Sequence, residues 1–104
     1  MAQFFNHIGY SDTTPYEVIR RVGEKTYEVR AMKAERDESW KPEYVAGGFA
    51  GHCYNQSQQR WNISVDTQGE VVRVRLHKDG QWRDAYRRQF LPSETPRRYY
   101  DFNF

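Results

Sequence analysis

The clearest chemical signal is a series of basic side chains that alternates with apolar ones over residues 60–78. In a β-strand, alternate side chains point to opposite faces. If this segment folds as a hairpin, Asn62 lies opposite Arg73 and Arg60 lies opposite Arg75, all on one face. Cations directly opposite one another are unfavourable unless an anion or an acid neutralises them. The pattern therefore predicts a basic sheet face that binds an acidic ligand.

The predicted binding face extends along the next segment of the chain. Its residues are Arg60, Asn62, Arg73, Arg75, His77, Lys78 and Arg83, with Arg87 and Arg88 continuing the basic series. A basic face with aromatic rings among the cations is typical of nucleic-acid binding, because phosphates pair with the cations and bases stack on the rings. An acidic protein surface is an alternative ligand. A third interpretation is a solvated face that is balanced by Glu70, Asp79 and Asp84.

A second group of candidate contacts lies in the middle of the chain. Trp40 belongs to the polar segment 34–43, without an apolar pattern around it. Because interface hot spots are enriched in Trp, Tyr and Arg, we predict Trp40 and Tyr44 as exposed contacts for a protein partner. The glycine-rich segment 47–51 could present His52 to a ligand. The alternatives are a solvated loop around Trp40 and a bent strand over the glycines.

Residues for catalysis or metal binding are sparse. The soft or borderline metal ligands are His7, His52, His77 and Cys53. They do not have the spacing of a zinc site, and one cysteine with distant histidines does not make a catalytic triad. Glu17 and Glu28 are explained by cross-strand salt bridges. We therefore predict no metal, no cofactor and no enzymatic activity.

Length and composition place the chain among small folded domains. Its 104 residues suffice for one domain, 1–104. It contains three Trp, eight Tyr and six Phe, whereas disordered chains have few aromatic residues. The formal net charge is only +2, but 12 of the 16 basic residues are Arg. The planar guanidinium suits phosphate or carboxylate, so this bias indicates a binding surface.

The same composition bears on where the protein acts. No run approaches the roughly 20 apolar residues of a membrane span, so we predict no membrane association. The first 12 residues lack the basic start and apolar stretch of a secretory signal. A single cysteine fits a reducing compartment. We predict a cytoplasmic protein, and the oligomeric state stays open.

Short β-rich segments separated by turns predict the elements that position these residues. The predicted strands are 4–10, 16–22, 26–33, 60–65, 70–78 and 81–87, with a last strand in the aromatic tail after Leu91. Pro15 is expected to end regular pairing, and Gly69 to adopt a positive φ in a turn. Six or seven short antiparallel strands predict an all-β fold, either a small SH3-like barrel or a meander.

Alternation also predicts which positions face the core. Tyr16, Tyr27, Trp61 and Trp82 fall at inward positions. The polar segment 34–43 is expected to form a helical turn or a long loop. Residues 53–59 are expected to form an exposed connection.

Several short motifs are spread over most of the chain. They are Tyr10-Ser11-Asp12, Pro15-Tyr16, Gly47-Gly48-Phe49, Gly51-His52, Gln59, Trp61, Gly69, Leu76, Gly80, Trp82 and Tyr100-Asp101-Phe102-Asn103-Phe104. In these motifs the chain resembles a family of short uncharacterised proteins from phages, prophages and other bacterial mobile elements. The resemblance implies a gene context rather than a mechanism. Proteins from such contexts often bind nucleic acid, or bind and block a host defence enzyme.

Two functions follow from the sequence. The first is a non-enzymatic binding module whose basic face contacts nucleic acid. The alternative is a mobile-element accessory protein that binds and inhibits a host protein, with Trp40 and Tyr44 among its contacts. A small enzyme is a third class, and no arrangement of residues supports it.

Overall fold

A computed structural model describes residues 3–45, 52–53 and 55–100, with only the backbone at residues 44, 45 and 52. Its strands are β1 (Phe4–Ile8), β2 (Thr13–Gly23), β3 (Thr26–Ala31), β4 (Lys33–Arg36), β5 (Tyr44–Val45), β6 (His52–Cys53), β7 (Trp61–Ser64), β8 (Val71–Leu76), β9 (Trp82–Arg83) and β10 (Gln89–Ser93). A short 3₁₀ helix spans Gln56–Gln58. Within these ranges, no helix is long and apolar enough to cross a membrane. The predicted all-β fold is confirmed.

Six of the strands close into an antiparallel barrel. Their order around it is β1-β10-β9-β8-β3-β2, and it closes because β1 pairs with both β10 and β2. The pairs β4–β7 and β5–β6 form two separate two-stranded sheets. Closure leaves no unpaired edge among the six barrel strands. This architecture is consistent with the predicted small SH3-like barrel.

Aromatic side chains fill much of the barrel interior. The buried core cluster consists of Phe5, Tyr16, Val29, Val74 and Phe90. Tyr27 and Trp82 pack against this cluster, as their alternation predicted. The ring of Phe5 lies 5.0 Å from that of Trp82 and 5.4 Å from that of Tyr27, in edge and tilted geometries that favour ring pairs. Trp61 is half-buried on β7, outside this cluster, and its predicted core position is wrong.

The predicted hairpin over residues 60–78 does not form, although both of its halves are strands. β7 pairs with β4, whereas β8 pairs with β3 and β9. Alternation determines which face a side chain takes, but not which strand lies beside it. Because the chain runs from β3 through Met32 into β4, one long segment offers a pairing edge to β8 and then to β7. The turn at Asp66–Gly69 therefore connects strands that pair with different neighbours.

Gly69 is required by a close approach of two strands, not by a positive φ. Among the described glycines, only Gly80 has a positive φ, of 83°. A Cβ atom on Gly69 would collide with the carbonyl oxygen of Ala31. The neighbouring backbone is bound to β3, because Ala31 N donates to Glu70 O at 2.8 Å.

Pro15 does not end regular pairing as predicted. It lies within β2, opposite Asn6 of β1, and is buried. Proline lacks only the N–H donor, and its carbonyl oxygen still accepts a bond from Met32 N at 3.0 Å.

Other segments also differ from their predicted form. The polar segment 34–43 contributes to a strand, β4, and Cys53 lies buried in β6 rather than in an exposed connection. β9 is shorter than the predicted strand over 81–87, because residues 84–88 form a turn. The closing strand is β10, and Tyr99 of the aromatic tail makes a bridge with Thr13. Residues 101–104 lie outside the described ranges.

Candidate functional site

Two neighbouring barrel strands carry arginines on the same outer face. Arg73 and Arg75 alternate with the inward Val74 on β8, so their Cα atoms are about 7 Å apart. Arg83 of β9 lies directly opposite Arg75 in the antiparallel register. On the other side of Arg75 lies Thr26 of β3. The barrel thus places three guanidinium groups within one small area.

These arginines line a concave surface that we call the basic groove, with a volume of about 600 Å³. It is lined by Val22, Thr26, Arg73, Arg75, His77, Arg83, Asp84, Ala85 and Arg87. An adjoining cleft of about 540 Å³ shares Arg75, His77 and Arg83 and adds Lys78. The structure therefore brings together Arg73, Arg75, His77, Lys78 and Arg83, as the sequence predicted.

Two of the groove arginines have acidic neighbours. Arg73 and Arg20 both donate to Glu28, at 3.2 and 3.0 Å, and these bonds lower the pKa of the Glu28 carboxyl. The salt bridge predicted for Glu28 is therefore confirmed. Arg83 donates to Asp79 at 2.7 Å, which with a bond from the Gln81 backbone N–H lowers the pKa of Asp79.

Arg75 and Arg87 have no salt bridge within the part of the chain that the structure describes. Both side chains belong to exposed residues. Arg75 faces Arg83, and like charges opposite one another repel unless an anion lies between them. The basic groove therefore combines two arginines that have no salt bridge among the described residues with room for an anion.

The turn over residues 84–88, between β9 and β10, is held in shape by the buried Asp84 carboxylate. Its Oδ1 accepts bonds from Tyr86 N at 3.0 Å and Arg88 N at 2.9 Å, and its Oδ2 accepts from Arg88 Nε at 2.6 Å. Arg87 has a φ of 67°, in the left-handed region that residues other than glycine rarely adopt. Such a conformation costs about 1–3 kcal/mol. The hydrogen bonds of Asp84 maintain this turn beside the basic groove.

Arg88 connects this turn to the barrel and has a structural role. Its guanidinium donates to Glu70 at 3.0 Å as well as to Asp84, and it lies 5.9 Å from the ring centroid of Phe90. Burial disfavours the charge of Arg88, but the hydrogen bonds to Asp84 and Glu70 outweigh this effect and raise its pKa. Arg88 is therefore a fully charged, internally paired cation.

Two of the predicted binding residues lie away from the basic groove. Asn62 of β7 is opposite Glu35 of β4, and Arg60 directly precedes β7. The predicted pairings of Asn62 with Arg73 and of Arg60 with Arg75 are therefore wrong. The reason is the strand order, which separates β7 from β8.

The second predicted group of contacts does not form an exposed surface. Trp40 is buried, with 7% of its surface exposed, so its predicted role as an exposed anchor is wrong. Asp37 holds a turn in which Trp40 N donates to Asp37 O at 3.0 Å. Withdrawing a large indole from water is favourable, which explains its burial without an apolar sequence pattern around it. The side chains of Tyr44 and His52, and residues 46–51, lie outside the described part of the chain.

The groove also contains residues that the sequence pattern did not single out. Val22 and Thr26 come from the β2–β3 hairpin, and Ala85 comes from the turn over 84–88. Their proximity depends on the order β2-β3-β8-β9, which no local pattern encodes. The signal that could have found the turn is Asp84, because an aspartate often accepts a hydrogen bond from the backbone N–H two residues later, as it does here from Tyr86 N.

The titration of His7 on β1 tests its contact with Phe90 and its proximity to Arg88. Its ring lies 5.3 Å from that of Phe90, and burial, reinforced by the positive charge of Arg88, lowers its pKa below 6.5. As the pH falls, His7 of the unfolded chain therefore becomes protonated near pH 6.5, whereas His7 of the native protein becomes protonated only at a lower pH. Stability is therefore complete above about pH 6.5 and is lost as the pH falls through the native pKa.

We expect the melting temperature of the protein to fall between pH 7.5 and pH 5.5, and to fall less in His7→Phe. The variant keeps a ring beside Phe90 but cannot titrate. Thermal unfolding followed by circular dichroism at both pH values measures the difference. An equal fall in the two proteins would contradict this assignment.

The residues of the basic groove are suited to binding an anion. Their guanidinium groups supply planar arrays of hydrogen-bond donors and positive charge. Over the described ranges, no group of three or more His, Cys, Asp or Glu side chains is placed to hold a metal ion.

Comparison of the chain with protein-family models, curated proteins and solved structures finds no significant match.

Proposed function

We propose that this protein is a non-enzymatic nucleic-acid-binding domain whose basic groove contacts the phosphate backbone. The observation that carries the proposal is Arg75, which is exposed, lies opposite Arg83 and has no salt bridge among the described residues. A phosphate placed between these two guanidinium groups would neutralise Arg75 and would share Arg83 with the Asp79 carboxylate that already binds it. It would also accept charge-assisted hydrogen bonds from both.

The spacing of the cations suits a chain of repeated anions. Arg73 and Arg75 are about 7 Å apart along β8, and directly opposite residues such as Arg75 and Arg83 are about 5 Å apart between Cβ atoms. Arg87 adds a further cation across the groove. A nucleic acid carries a phosphate at every nucleotide, so one strand can engage several of these arginines. A single small anion would use only one or two of them.

We expect labelled oligonucleotides to bind with an affinity that falls steeply with salt, because each phosphate contact releases counterions. In Arg75→Gln, the slope of log K against log salt should decrease by about 1, and the affinity should fall about 5- to 10-fold at low salt. Fluorescence anisotropy of a fluorescein-labelled oligonucleotide between about 50 and 200 mM salt measures both quantities. Arg60→Gln is the matched control, since it removes an exposed arginine outside the groove.

Three results would contradict the proposal. They are no binding, binding that is independent of salt, and equal losses in Arg75→Gln and Arg60→Gln. A pull-down from bacterial lysate adds a further comparison. One host protein that persists through nuclease treatment, and is lost from Arg75→Gln, would favour the inhibitor function instead.

A further inference from the structure

Tyr86 is an exposed aromatic ring beside the basic groove. It lies at the tip of the turn over 84–88, between Ala85 and Arg87, which both line the groove. Its exposed fraction is 77%, although a tyrosine ring is largely apolar. Tyr86 itself is not part of the lining, but its ring is exposed between two residues that are, so a ligand that extends past the groove at this turn can reach it.

The backbone around Tyr86 is fixed before any ligand binds. Tyr86 N donates to the buried Asp84 carboxylate at 3.0 Å, and Arg87 N donates to Asp84 O at 3.1 Å. The Arg88 guanidinium lies 5.5 Å from the centroid of the Tyr86 ring and adds a cation–π contact. Arg88 is itself anchored by Asp84 and Glu70. A ring held in this way loses little conformational freedom when a flat ligand stacks on it.

Resting on the proposed function, we infer that Tyr86 is a stacking platform for an unpaired base, so that the ligand of the basic groove is single-stranded nucleic acid. Aromatic rings beside a positively charged groove are the usual means of binding single strands without sequence preference. In a duplex, each base is already stacked between its neighbours and offers no free face to such a ring. A single strand can place its phosphates on the groove arginines while one base turns onto Tyr86.

The conformation of Arg87 agrees with this assignment. Its left-handed φ of 67° is uncommon for a residue with a side chain, and the turn places that side chain on the groove. Strained residues that the surrounding structure enforces cluster at ligand sites. Tyr86 and Arg87 thus present a ring and a cation side by side, one for a base and the other for the adjoining phosphate.

The test compares a fluorescein-labelled 12-nucleotide single strand with its duplex, using fluorescence anisotropy. We expect Tyr86→Ala to weaken binding of the single strand about 5- to 100-fold, because one stacked base is lost. Tyr86→Phe should stay within about 2-fold of the wild type, since the ring remains. Duplex affinity should be weaker in the wild type and unchanged in Tyr86→Ala. Tyr10→Ala is the control for the loss of an exposed ring, because Tyr10 is 93% exposed and belongs to the connection between β1 and β2 rather than to the turn over 84–88.

The outcomes separate this inference from the proposed function. If Tyr86→Ala binds the single strand as well as the wild type while Arg75→Gln is weakened, the stacking platform is wrong and the phosphate-binding groove stands. Equal losses of single-strand and duplex affinity in Tyr86→Ala would also overturn the inference. If neither oligonucleotide binds the wild type, both the inference and the proposed function are wrong.

Discussion

Phe90→Ala is expected to lower the free energy of unfolding by about 3–5 kcal/mol, the largest loss that we expect from one substitution in this barrel. Phe90 is fully buried on β10, with its ring 5.1 Å from that of Tyr16 and 5.3 Å from that of His7. Removing the ring leaves a cavity between β10, β1 and β2. The strands around a closed barrel cannot move together to fill that cavity without breaking their pairing, so little of the loss is recovered.

Urea denaturation followed by tryptophan fluorescence measures the change in the free energy of unfolding. Phe90→Leu keeps part of the volume and should cost roughly 1–2 kcal/mol, which provides a folded intermediate case if the alanine variant does not fold. Tyr10→Ala removes a ring of similar size that is almost fully exposed, and it should change stability by less than about 0.5 kcal/mol. A loss below about 1 kcal/mol in Phe90→Ala would mean that β10 does not close the barrel.

The sequence was informative about strands because a half-buried strand must alternate. The period of two along residues 26–31 and 71–76 follows from burying one face of each strand, and both segments are strands in the structure. The same rule could not identify their partners. β8 pairs with β3, whose residues lie more than 40 positions earlier in the chain, and alternation contains no information on that distance.

The candidate site was predictable to the extent that it is local. Arg75 and Arg83 lie on strands joined by the tight turn at Asp79-Gly80, so sequence proximity already placed them on one surface. Arg60 was misplaced because its position depends on the pairing of β7 with β4. Trp40 was misplaced for a related reason, since its burial comes from a turn and not from a periodic strand.

The second large effect is expected at Asp84, which forms one of two Asp–Arg pairs with the same spacing. Asp84 binds Arg88 at 2.6 Å and Asp79 binds Arg83 at 2.7 Å, each four residues apart. The Asp84 side chain is 1% exposed, whereas that of Asp79 is 53% exposed. Breaking a buried pair leaves charges and N–H donors without a partner, whereas water replaces the partner at an exposed pair.

Asp84→Ala should therefore cost about 2–4 kcal/mol, and Asp79→Ala less than about 1 kcal/mol, in urea denaturation. The first value lies at the lower end for buried pairs because Arg88 keeps Glu70 as a partner. Asp84→Asn should fall between the two, since its amide oxygen can still accept from Tyr86 N and Arg88 N.

The effects of Asp79→Ala and Asp84→Ala on oligonucleotide affinity should be opposite in sign. Asp79→Ala frees the charge of Arg83 and should strengthen binding, whereas Asp84→Ala loosens the turn that presents Tyr86 and Arg87 and should weaken it. Equal losses of stability in the two alanine variants would show that burial does not distinguish the pairs, and unchanged affinity in Asp84→Ala would show that the ligand does not depend on the turn.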